Sequence, residues 1–156
     1  KAAMDWRKGA GIMGHSLGGT VSTWAWMDDA RFGALALLGS YPNDGDAVHV
    51  RAGSPVLSLS GQRDGYSTPA EVIEGFNTFA EPRWLGMVSG LHHFGWTDHN
   101  TPGELDSDGV PTRPITVLRR DAMRLLDTFL DAHLRDDLAS KNRLTGGSFS
   151  GVAVSR

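Results

Sequence analysis

Residues 12–19 read Ile-Met-Gly-His-Ser-Leu-Gly-Gly, and within them Gly14-His15-Ser16-Leu17-Gly18 fits the pattern Gly-x-Ser-x-Gly. In this pattern a strand runs into a tight turn and straight on into a helix, with the serine held at the turn. The strained turn requires the residues two before and two after the serine to be small enough to pass closely. The flanks agree: a short apolar run, Ala10 to Met13, precedes the motif, and a helix-compatible stretch, Gly18 to Met27, follows it. Such a helix aims its unpaired N–H groups at the serine, where a developing negative charge can be stabilised. The segment therefore predicts strand, sharp turn and helix, with Ser16 as a nucleophile.

The rest of the chain is ordinary for one globular domain: 156 residues, 40% hydrophobic and 21% charged. A formal net charge of −3 gives no electrostatic reason to expect nucleic acid or an anionic membrane as partner. No apolar stretch approaches the ~18–20 residues of a membrane span. Cysteine is absent, which excludes disulfides and thiolate metal sites and leaves the redox compartment open. Residues Lys1 to Trp6 do not read as a signal peptide.

Four short apolar segments read as strands: Ala10–Met13, Ala34–Leu38, Pro55–Gly61 and Arg83–Val88. Ala34–Leu38 has the continuous apolar character of a strand buried on both faces, and Pro55–Gly61 reads as another buried strand, with Pro55 at its first position where no ladder N–H is lost. Thr68-Pro69-Ala70-Glu71 opens a helix with Thr68 as cap and Pro69 at the first helical position, and Val72, Ile73, Phe76 and Phe79 supply its apolar stripe. Ile115–Leu134 shows the strongest helical periodicity, through Leu118, Ala122, Leu125, Leu126, Phe129 and Leu130. Residues 41–54 and 90–113 read as loops. From Asp136 the composition turns polar and rich in Gly and Ser, which predicts a loosely held tail over 136–156. Strands alternating with helices imply an α/β fold with a parallel sheet.

A serine nucleophile needs a base, and the base needs an orienting acid. On an elbow of this kind the chain order is serine, acid, histidine. Asp64 stands just past the C-terminal end of the Pro55–Gly61 strand, where α/β sheets gather their ligand chemistry; Asp44 and Asp98 are rivals. Among six histidines, the adjacent His92 and His93, after the Arg83–Val88 strand, are the candidate bases. His15 is fixed inside the elbow, His49 lies in a loop, and His133 sits on the last helix.

Taken in order, the elbow, the strand followed by Gly61-Gln62-Arg63-Asp64, and Gly90-Leu91-His92-His93-Phe94 resemble the C-terminal half of the α/β-hydrolases. The resemblance covers roughly residues 9–134. It is nearest the branch that holds dienelactone hydrolases, platelet-activating-factor acetylhydrolases and cutinase-like polyester hydrolases. It implies an α/β-hydrolase fold over 1–135 and a serine hydrolase that cleaves carboxylic esters, small or polymeric, without a cofactor. The register of the Gly-x-x-His-Phe stretch puts the base at His93 rather than His92, with Ser16 as nucleophile and Asp64 as acid. The Leu17 backbone N–H becomes one oxyanion donor.

The resemblance also implies strands upstream of the elbow, and the loop that supplies the second oxyanion donor lies among them. That donor is therefore expected from outside this chain, and the elbow strand is expected to form a bare sheet edge. An N-terminal fragment or a second chain is the expected partner. Tyr41, Phe94, Trp96 and His15 are expected around the substrate, and Trp24, Trp26 and Trp84 in the core. Two alternatives compete: a non-catalytic module that keeps the elbow, and a metal-dependent hydrolase using His92, His93, Asp98 and His99. The compartment stays open, with a lean towards a secreted protein.

Overall fold

The computed structural model describes residues 9–98 and 100–156. His99, part of the metal alternative, lies outside the described residues.

The strand signals become β1 (Ala10–His15), β2 (Phe32–Leu38), β3 (Val56–Gly61) and β4 (Arg83–Val88). They pair in sequence order, each parallel to the next. Parallel neighbours need crossover connections. Helix α1 (Leu17–Asp28) follows β1 and α2 (Pro69–Thr78) follows β3, whereas β2 reaches β3 through a loop holding one 3₁₀ turn, Val48–Arg51. The α2 start follows its sequence signal closely. The Thr68 hydroxyl accepts the Glu71 N–H, and the Glu71 carboxylate accepts the Thr68 N–H, a reciprocal capping box with Pro69 in the first turn.

Alternating residues of each strand divide between two cores. On one face Leu35, Leu37 and Val56 pack with Trp26 of α1 and with Phe79; Val72 and Phe76 of α2 pack on Leu85. On the other, Ala34, Ala36, Leu57, Leu59 and Trp84 meet Leu118, Ala122, Leu125 and Phe129 of the long helix α4 (Ile115–Leu134). Both sheet faces are thus covered, which explains why β2 is apolar without alternation and why Ser58 and Ser60 of β3 are buried along with its leucines.

Four sequence expectations are corrected here. Ile73 is exposed, because Val72 and Phe76, four residues apart, already define the buried face of α2 and Ile73 lies a step around the helix. Trp24 is 42% exposed rather than core. It shares an outward stripe of α1 with Leu17 and Val21, and its indole N–H donates to the Asp46 carboxylate. The 90–113 segment is not plain loop: a 3₁₀ turn covers His93–Trp96, and a short helix, α3 (Pro102–Asp106), starts from a second capping box, Thr101 with Glu104.

The largest correction concerns residues 136–156, which are no loose tail. They form α5 (Leu138–Gly146) and β5 (Val152–Ser155), and β5 pairs antiparallel with β4 to complete a five-stranded sheet. Leu144, Phe149 and Val152 are buried in the α4-side core. Three well-placed apolar residues are enough to anchor a segment whose average composition is polar. Leu144→Ala should therefore cost about 2–5 kcal/mol of stability by urea unfolding, while Leu138→Ala, at an exposed position of the same helix, should stay within about 0.5 kcal/mol.

Candidate active site

Ser16 lies between β1 and α1 with φ 54° and ψ −130°, a positive φ that a side chain-bearing residue rarely adopts. Its N–H donates to Leu38 O of the neighbouring strand (3.1 Å), and its carbonyl accepts the Gly19 N–H (2.8 Å) and the buried Ser40 hydroxyl (2.7 Å). The sheet partner and the helix start thus hold the turn from both sides. A Cβ on Gly14 would stand 2.1 Å from Gly18 O, and one on Gly19 would stand 2.4 Å from the Ser40 hydroxyl. A Cβ on Gly18 meets nothing within 4 Å among the described residues. The need for small residues therefore falls on Gly14 and Gly19, not on Gly14 and Gly18 as the motif's spacing suggested.

Asp64 follows β3, and both its oxygens stand 3.0 Å from His93 Nδ1. The Tyr66 and Ser67 N–H groups donate to Asp64 Oδ1 at 3.0 and 2.7 Å, closing a turn that fixes the carboxylate. His93 opens the 3₁₀ turn after β4, and its Nε2 stands 2.9 Å from Ser16 Oγ. The side chains of Asp64 and His93 are 0% and 2% exposed, so the pair works out of water, where hydrogen bonds to charge are strongest. Gly39, which closes β2 with φ +52°, lies under this pair: a Cβ there would be 2.9 Å from Asp64 Oδ2 and 3.4 Å from His93 Nδ1.

The structure thus brings Ser16, Asp64 and His93 together in one hydrogen-bonded row. It separates the rivals from that row. His92 Nδ1 faces Asp108 at 2.7 Å. Asp98 is exposed and paired with Arg119 at 2.5 Å. Asp44 lines an acidic hollow with Asp46, Glu71 and Glu74. His92, His93 and Asp98 of the metal alternative therefore serve different partners, and no three His or carboxylate groups converge on a metal position among the described residues.

Around the row the expectations hold only in part. A cavity of about 220 Å³ beside Ser16 is lined by Leu17, Thr20, Ser40, Tyr41, Asn43 and Ser67. Of the four residues expected there, only Tyr41 lines it. The turn at His93 carries the next residues round behind the imidazole: Phe94 packs edge-on against His93 and Tyr66, and Trp96 packs against the α4-side core. His15 lies beside His93, ring centroids 4.6 Å apart, and its Nε2–H donates to His93 O at 3.1 Å. Burial, and then the neighbouring His93, hold the His15 pKa below its usual value. Thr20, Ser40, Asn43 and Ser67 carried no sequence signal, being single polar residues in segments that read as helix or loop. Tyr66, whose ring covers His93 at 5.3 Å, stands two residues from Asp64, and that position flanking the acid is its sequence signal.

The family model for the alpha/beta hydrolase family matches residues 5–108, more than half of the chain and a span holding Ser16, Asp64 and His93. The chain belongs to the alpha/beta hydrolase family. Its mostly parallel sheet with helices on both faces is the fold this alpha/beta hydrolase was expected to have. No curated protein matches the chain at significant similarity.

In this hydrolase the α1 start also offers a donor, since the Leu17 N–H has no backbone acceptor among the described residues. Gly14→Ala should destabilise the protein by at least about 3 kcal/mol, near the upper end of single substitutions. Gly18→Ala should leave stability unchanged or raise it by up to about 1 kcal/mol. Thermal unfolding of the two variants side by side measures the difference.

Proposed function

We propose that this alpha/beta hydrolase cleaves carboxylic esters of short acyl groups through an acyl-enzyme on Ser16. The observation that carries the reading is the row from Ser16 Oγ to His93 Nε2 (2.9 Å) and from His93 Nδ1 to Asp64 (3.0 Å). With Nδ1–H donated to Asp64, Nε2 is the free base facing the hydroxyl. Ser16 attacks the ester carbonyl as His93 takes its proton. Asp64 holds the imidazole orientation and offsets the charge that forms on it. The oxyanion is stabilised by the Leu17 N–H and the α1 N-terminus. His93 then protonates the departing alcohol. Water, deprotonated by His93, attacks the acyl-enzyme, and collapse of the second tetrahedral intermediate releases the acid and returns the proton to Ser16.

The cavity beside Ser16, at about 220 Å³, is below the ~300–1,000 Å³ typical of drug-sized sites. It favours a short acyl chain, and its hydroxyl and amide lining suits a group with some polarity. The proposed chemistry is of the kind expected of the dienelactone hydrolase, acetylhydrolase and cutinase-like branch.

We also propose that further polypeptide, from an upstream segment or a second chain, adds to the open edge of β1 and brings the second oxyanion donor. Support comes from the surface there: Met13, Leu17, Val21 and Trp24 are 47%, 73%, 51% and 42% exposed, an apolar strip on the edge strand and on the helix that follows it.

With p-nitrophenyl butyrate as substrate, Ser16→Ala should abolish turnover and His93→Ala should lower kcat by about 10⁴-fold, the scale of losing a triad member. His92→Ala should retain a tenth or more of the activity. Greater damage from His92→Ala would move the base to His92, and activity surviving in Ser16→Ala would end the serine reading. The kcat/KM for butyrate should exceed that for decanoate at least tenfold, on the order of the discrimination one or two unaccommodated methylenes produce.

A further inference from the structure

Asp108 lies outside the Ser16–His93–Asp64 row, yet its side chain is 0% exposed. Its carboxylate is the most heavily engaged acceptor beside the site. Oδ1 accepts the N–H groups of Gly65 and His93, each at 3.0 Å, and of Gly109 at 2.8 Å; Oδ2 accepts the Phe94 N–H at 2.8 Å. His92 Nδ1 stands 2.7 Å from Oδ2, though without the alignment of a hydrogen bond. One carboxylate therefore grips both loops that matter: the one after β3, next to Asp64, and the one after β4, at His93 itself.

The packing leaves this arrangement little slack. A Cβ on Gly65 would stand 2.6 Å from Ser107 O, and one on Gly109 would stand 1.9 Å from Arg63 O. The two loops and the 107–109 segment are pressed backbone to backbone, with Asp108 between them. On the far side of the His93 turn, Arg119 of α4 donates to the carbonyls of Gly95 and Thr97 and to Asp98. The turn is thus held by a carboxylate on its N–H side and a guanidinium on its carbonyl side. Burial raises the Asp108 pKa, but the N–H groups of Phe94, Gly65, His93 and Gly109 together outweigh it, and the net shift is downward. The group is anionic at neutral pH.

Building on the proposed Ser16 esterase, we propose that Asp108 is a positioning residue which, through the backbone of residues 65, 93 and 94, sets the His93 imidazole between Asp64 and Ser16. It touches no reacting atom. Its effect is on how well the base is aligned, and misplacement of a catalytic group by about 1 Å can cost about 10²-fold in rate.

The test compares wild type, Asp108→Asn and Asp108→Ala in the full chain. Turnover of p-nitrophenyl butyrate is normalised to sites titrated with a serine-directed phosphonate. In parallel, the downfield proton NMR signal of His93 Nδ1–H, assigned by its loss in His93→Ala, reports the Asp64–His93 bond whether or not ester is turned over. Asp108→Ala should lower kcat per titrated site about 10²-fold with KM within about threefold, the signature of an interaction that acts on the transition state. Its His93 proton signal should shift or broaden. Asp108→Asn keeps one oxygen for three of the N–H groups and should fall between the two.

Unchanged kcat per site together with an unmoved proton signal overturns the proposal, as does a rise in KM alone. A merely structural role would lower the melting temperature and the titratable fraction without moving either readout. If both variants are unfolded even at 10 °C, Asp108 is a folding residue and the positioning role is wrong. If wild type turns over no ester, the esterase reading fails on its own, and the proton signal still decides the role of Asp108.

Discussion

The backbone of Ser16 is the constraint on which the rest of this hydrolase depends. A non-glycine residue at φ 54° costs on the order of 1–3 kcal/mol and persists only where its surroundings over-determine it. Here they do. The β1–β2 register delivers Leu38 O to the Ser16 N–H, Ser40 just beyond β2 reaches back to the Ser16 carbonyl, and Gly19 closes the first turn of α1 on the same oxygen. Strand, neighbour and helix each fix one bond of the turn. Loss of the parallel pairing would release the serine from the geometry in which its hydroxyl meets His93.

The remaining groups of the site come from strand ends on the same side of the sheet, where β3 delivers Asp64 and β4 delivers His93. What brings them into contact is close backbone passage. Gly39 lets β2 end beneath the Asp64–His93 pair, and a Cβ on Gly61 would stand 2.3 Å from Leu91 O. Because the loops touch through main chain, a single buried carboxylate can serve several N–H donors at once, and Asp108 occupies that place. A surface ion pair could not substitute, since exposed pairs are weak and screened.

The sequence disclosed what is local and concealed what depends on distant partners. The elbow, the capped start of α2, the two buried strands and the 20-residue α4 each announce themselves within a short window, and the order of Ser16, Asp64 and His93 suggested a site that the fold gathers into one row. Helix α3 was equally legible, because Thr101-Pro102-Gly103-Glu104 repeats the signal of Thr68-Pro69-Ala70-Glu71; the surrounding Gly, Pro and Asp obscured it. The C-terminal α5 and β5 were not legible from composition, since few residues, Leu144, Phe149 and Val152 with Val154 packed beside them, reach the core and their partners lie on β4 and α4. Asp108 was invisible for a related reason. Asp-Gly reads as a turn, and only the folded loops reveal that four N–H groups converge on its carboxylate.

The two edges of the sheet differ in a way that bears on how the protein works. At one edge β5 is four residues long, with Val152 buried, Ala153 and Ser155 exposed, and Arg156 following: short, half-polar and followed by a charge, the usual defences of a sheet margin. At the other edge β1 has none of these. Met13 is exposed on it, and α1 carries apolar residues on its outward stripe as well as its inward one, a distribution suited to a helix covered on both sides. This apolar edge is also the edge that carries Ser16. On the proposed reading, a segment that covers β1 and α1 would pass close to Ser16, so burial of this surface and supply of the second oxyanion donor fall to one and the same segment.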